Sequence, residues 1–82
     1  MIRPIRKALD PDELFNRFRR GFQKSRKGNY WREYDGAIVV LFRGRDEGWN
    51  WLVIHPDKSK QFGSDEYDSR NDAMLEAWEA VR

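Results

Sequence analysis

Residues 30–43 read YWREYDGAIVVLFR, two runs of aromatic and β-branched residues on either side of Asp35-Gly36. Asp-Gly between such runs is a strong signal for a two-residue hairpin, because both central positions of the favoured turn need a positive φ. In that register Tyr34 faces Ala37 and Arg32 faces Val39. Tyr30, Tyr34, Val39 and Leu41 then share one side of the hairpin, and Trp31, Ile38, Val40 and Phe42 share the other. Ala37 to Phe42 is apolar on both sides, as expected of an inner strand with cover on each face.

Working outward, Gly44–Gly48 (GRDEG) is a charged turn into a third strand, Trp49–Ile54 (WNWLVI). Pro56-Asp57 ends that strand, since proline cannot donate to a ladder. Lys60 to Phe62 is long enough for a short fourth strand. Ser69, with Asp72 three residues on, is a good N-cap for a helix from Arg70 to near the C-terminus. Its buried stripe is expected to be Met74, Ala77, Trp78 and Val81, with Asp72, Glu76 and Glu79 opposite.

On the other side of the hairpin, Asp10-Pro11-Asp12-Glu13 reads as a helix start: Asp10 caps, Pro11 takes the first turn and Glu13 closes a capping box. The spacing predicts a helix from Pro11 to Lys24 with Leu14, Phe15, Phe18 and Phe22 on one arc and Arg17, Arg20 and Lys24 opposite. Gly21 inside it costs about 1 kcal/mol relative to alanine, so that the last turn frays or the helix ends there. Ser25 to Asn29 reads as a basic linker. The fold class is α+β: an N-terminal helix, a three- to four-stranded antiparallel meander and a C-terminal helix packed on the sheet. Residues 1–9 are expected to form a basic flexible arm, and 10–82 a single domain.

The GWNW strand segment followed by Tyr67-Asp68-Ser69 at the entrance to the last helix is similar to an arrangement in small bacterial and phage domains. It also resembles the sheet-plus-helix of some integrase-type DNA-binding domains. The likeness spans about half of the chain and contains no diagnostic motif.

The chain has 82 residues, including four Trp, five Phe and three Tyr, and no cysteine. Large aromatic side chains give a short chain enough area for a core. With no cysteine, neither disulfides nor a thiolate metal site can staple the fold, and a reducing, cytoplasmic setting is expected. No apolar run approaches a membrane span, and the first residues lack the apolar stretch of a secretory signal.

Net charge is +2 but unevenly placed. Residues 1–27 hold nine Arg or Lys against three acids, giving +6, and residues 28–82 hold seven against eleven, giving −4. Clustered cations of this kind neutralise phosphates and release counterions. Arg17, Arg20, Lys24, Arg26 and Lys27 are therefore the candidate nucleic-acid contacts, for DNA or RNA, with the arm following the backbone. Tyr30, Trp31, Trp49 and Trp51 are candidate aromatic contacts, able to stack on bases or to form a protein-binding hot spot. The alternative reading is an adaptor or inhibitor, phage- or mobile-element-like, that binds a protein through such an aromatic patch. Self-association into a homodimer through the opposed basic and acidic helix faces is compatible with either.

Catalysis has little footing in the sequence. His55 stands alone beside Pro56, without the convergent partners a general base needs. The glycines match no phosphate-binding loop, and no serine lies in a nucleophile elbow. Asp65, Glu66, Asp68 and Asp72 lack the spacing of a calcium loop and suit the positive start of the last helix. No cofactor, metal or catalytic residue is expected, and the chain reads as a non-enzymatic binding domain.

Overall fold

The computed structural model describes residues 11–82. The expected arm and the capping residue Asp10 lie outside the described residues. The element order is α1 Pro11–Arg20, β1 Gln23–Lys24, β2 Tyr30–Tyr34, β3 Ala37–Arg43, β4 Trp49–Ile54, β5 Lys60–Phe62 and α2 Arg70–Val81. The strands form one antiparallel meander in sequence order, with both helices on one face.

Asp35 and Gly36 have φ of 51° and 85°, the pair of positive values that lets a two-residue turn follow the twist of its strands. Tyr34 accordingly pairs with Ala37 and Arg32 with Val39, as the turn chemistry predicts. β3 and β4 pair from Ile38–Ile54 to Arg43–Trp49. Lys60–Phe62 does form the outer strand against Leu52–Ile54.

The sheet has five strands where three or four were expected, and the extra one comes from the end of the predicted first helix. That helix stops at Arg20 rather than Lys24. Two tightened turns end it, with the amides of Gly21 and Phe22 donating to the carbonyls of Phe18 and Arg19. The guanidinium of Arg32 then takes the place of a further turn, donating from Nη1 to the Phe18 carbonyl at 2.7 Å. Gly21 leaves room for that approach, because a Cβ there would collide with the guanidinium. Gln23 and Lys24 are thereby released to pair with Trp31 and Tyr30. The expected linker 25–29 is a hairpin turn: the Ser25 amide bonds the Asn29 carbonyl at 2.7 Å, the Asn29 amide returns to Ser25 Oγ at 3.1 Å, and Gly28 sits at φ 86°.

The core lies between the sheet and the helices. Ala37, Val39, Leu41, Trp49, Trp51 and Val53 point into it from β3 and β4, and Phe18, Ala73, Met74, Ala77 and Trp78 meet them. Phe18 is its centre, 1% exposed, with the rings of Trp78, Phe22 and Tyr34 at 4.9, 5.2 and 5.3 Å. Ser69 caps α2 as expected, its Oγ accepting from the Asp72 amide at 3.0 Å. Val81, expected in the buried stripe, is only partly buried, and Ala73 takes a place in it instead.

Among the described residues, the expected cover on both sheet faces is found on one face only. Every buried sheet residue lies on the helix side, whereas Ile38, Val40, Phe42, Leu52 and Ile54 are only half-buried. Two short helices suffice for one face of a meander this wide, and both are committed to the same one.

Candidate nucleic-acid interface

Cross-strand register brings the basic and aromatic residues together at one end of the sheet. Lys24 stands opposite Tyr30 across β1–β2, and Arg43 stands opposite Trp49 across β3–β4. The Tyr30 and Trp49 rings are 6.0 Å apart. Arg70, the first residue of α2, reaches back over both, its guanidinium 3.9 Å from the Tyr30 centroid and 5.9 Å from that of Trp49. Arg43 lies 4.5 Å above Trp49, and the Lys24 ammonium is 6.0 Å from Tyr30.

A cleft of about 370 Å³ opens there, lined chiefly by Lys24, Lys27, Tyr30, Arg43, Trp49 and Arg70. An adjoining cleft of about 450 Å³ shares Tyr30 and Arg70 and adds Arg19, Phe22, Asn71 and Met74. Five cations, Arg19, Lys24, Lys27, Arg43 and Arg70, thus converge around two rings. No carboxylate lines either cleft among the described residues.

The rings act on the guanidiniums electrostatically, since the negative face of an aromatic ring attracts a cation at about 0.5–1 kcal/mol at exposed sites. That attraction restrains long side chains which would otherwise spread into solvent, and Arg43 is further held by donating from Nη1 to the Glu47 carbonyl at 2.6 Å. The amino end of α2 adds its partial positive charge beside Arg70 and Asn71.

The sequence-predicted residues divide. Lys24, Lys27, Tyr30 and Trp49 come to the cleft, with Lys24 on an edge strand instead of the helix. Arg17, Arg20 and Arg26 are not among the residues lining it. Trp49 and Trp51 are 9% and 6% exposed, so neither has a free ring face on which a base could stack. Trp51 is a core residue whose Nε1 has no hydrogen-bond partner among the described residues. Trp31 is 38% exposed but sits on the opposite sheet face. Arg43 and Arg70 were missed, and Arg19 was read as part of the basic helix without being named as a contact. The β3–β4 register would have placed Arg43 on Trp49, whereas the return of α2 to Tyr30 has no local signal.

The remaining chemistry-bearing residues have structural partners. Glu66 accepts from the amides of Gly48 at 2.8 Å and Asp46 at 3.1 Å, bracing the β3–β4 turn from within a separate acidic cleft. No group of three or more His, Cys, Asp or Glu among the described residues is placed to hold a metal. Beside that cleft Tyr67 is held protonated beyond the ordinary phenol range, first by burial and then by Glu76, Asp65 and Asp72. His55 Nε2 meets Gln61 Oε1 at 3.1 Å. The Ser59 hydroxyl donates to Asp57 at 2.6 Å rather than to the imidazole, so the turn holds no histidine-activated nucleophile.

No family model matches the chain, and no curated protein or solved structure matches it significantly. Among the described residues no helix is long and apolar enough to cross a membrane.

Proposed function

We propose that this protein is a small, non-catalytic, cytoplasmic nucleic-acid-binding domain that holds the phosphate backbone of DNA or RNA without reading sequence. The observation that carries the reading is the convergence of Arg19, Lys24, Lys27, Arg43 and Arg70 around Tyr30 and Trp49, with no carboxylate among the described residues that line the two clefts. A site of that composition favours oxyanions and offers the forked donors that suit phosphate. The burial of Trp49 and the guanidinium over Tyr30 favour backbone contact over base stacking, so affinity should follow charge density more than base identity.

Fluorescence anisotropy with labelled single- and double-stranded DNA and RNA, titrated from low to physiological salt, tests this. Binding that falls steeply with salt, and that Arg43→Ala with Arg70→Ala weakens strongly while Arg17→Ala with Arg20→Ala largely retains, supports the site. Absence of binding at low salt ends the proposal, and binding lost only in the Arg17/Arg20 variant moves it to the helix.

A further inference from the structure

The outward face of the sheet carries a pattern that the core does not use. Two rungs cross β2, β3, β4 and β5 on that side: Trp31–Val40–Leu52–Phe62, and Glu33–Ile38–Ile54–Lys60. At the edges Trp31 is 38% and Phe62 60% exposed, and among the described residues neither helix reaches this face. An apolar strip flanked by charges marks an interaction surface on a small chain.

We propose that this face docks on the same face of a second copy of the chain, about a two-fold axis parallel to the strands and midway between β3 and β4. Such an axis exchanges β2 with β5 and β3 with β4, and both rungs complement themselves under the exchange. Trp31 lies over Phe62 of the second copy, Val40 over its Leu52 and Ile38 over its Ile54. Glu33 lies over Lys60 of the second copy, and the symmetry makes that ion pair twice. Within one chain Glu33 and Lys60 stand three strands apart, about 14 Å, and cannot satisfy each other. Stacked sheets sit about 10 Å apart, a spacing these side chains fill by interdigitation.

The charge pattern favours a second copy over an unrelated partner, because one acid and one base at mirrored places on one rung are what an isologous contact requires. With only two four-residue rungs in contact the dimer is a weak one, with a dissociation constant on the order of 100 µM. The inference is independent of nucleic-acid binding: the helices and the basic clefts face away from the contact.

Sedimentation velocity of the full chain across this concentration range is the test. The chain should dimerise, and Phe62→Lys, at an already exposed position, should be monomeric with an unchanged melting temperature. Glu33→Lys and Lys60→Glu should each weaken the dimer by about tenfold or more. Mixed in equal amounts they should restore it, because each mixed contact then pairs opposite charges on both sides of the axis. A chain monomeric up to millimolar concentration, a dimer that survives Phe62→Lys, or reversal variants that fail to rescue one another would overturn the proposal. So would capture of a different protein by Trp31 and Phe62 in a chain that does not self-associate.

Discussion

The guanidinium of Arg32, on the second strand, closes the end of the first helix by donating to the carbonyl of Phe18 at 2.7 Å, and its Nε donates to the Glu33 carbonyl at 2.9 Å. It also stacks 5.4 Å from the Phe18 ring and 5.1 Å from that of Tyr34. A helix's last carbonyls have no partner of their own, and the negative end of its dipole favours a cation there. One side chain therefore joins helix, sheet and the aromatic centre of the core.

Arg32→Ala should lower stability by about 1.5–3 kcal/mol, the range for a charged hydrogen bond partly out of water. Gly21→Ala should cost part of the same amount, because its methyl displaces the guanidinium. In the Arg32→Ala background the Gly21 change should be nearly silent. Urea denaturation of the four chains measures the coupling, and strictly additive losses would refute the shared contact.

Gly36 sits at φ 85°, and a Cβ there would come 3.2 Å from Pro56 Cγ. Gly36→Ala should therefore cost about 1–2 kcal/mol from the backbone alone. In a chain of this size each kcal/mol lowers the melting temperature by about 4–8 °C, readable by circular dichroism. An unchanged midpoint would show that the turn tolerates a side chain.

The Asp57 carboxyl is held below its ordinary value of 3.8, first by the Ser59 hydroxyl, then by the Ser59 amide and, more weakly, by the charge of His55. A depressed folded value means that its contribution is present above the ordinary value and is lost as pH falls through the folded one. Ser59→Ala should move the Asp57 titration upward toward 3.8 in a carbon-detected NMR experiment. A midpoint that does not move would assign the shift to the amide and His55 alone.

If all five cations of the basic cluster release counterions from duplex DNA, the logarithm of affinity should fall against the logarithm of salt with a slope near −4.5. Arg43→Ala with Arg70→Ala should flatten that slope by about 1.8. Equal slopes for the two chains would place the phosphate contacts elsewhere.

What was legible followed from local chemistry. The hairpin at Asp35-Gly36 and the cap at Ser69 depend on residues adjacent in the chain, and the turn, its register and the helix start all follow from them. The end of the first helix depends on Arg32, which is remote in sequence, so the Phe15–Phe18–Phe22 periodicity runs past the true boundary into β1. The candidate site divides in the same way. Lys24, Lys27 and Tyr30 lie close in sequence and were recognisable as a basic, aromatic stretch. Arg43 and Arg70 reach Tyr30 and Trp49 only through the β3–β4 register and the return of α2, which are tertiary facts.

The outermost strands are two and three residues long, and each carries a lysine, Lys24 on one and Lys60 on the other. Sheets polymerise sideways when a long, flat ribbon of unpaired amides and carbonyls is offered to a neighbour; a stub bearing a charge offers almost none. The longer inner ribbons are interrupted beside those stubs, β4 by the Trp49–Tyr67 bridge and β2 by Arg32, whose Nε donates to the edge carbonyl of Glu33. This meander is thus protected from fibril growth along its hydrogen-bonding direction, and concentrated solutions should form no thioflavin-positive aggregates while the native sheet is intact.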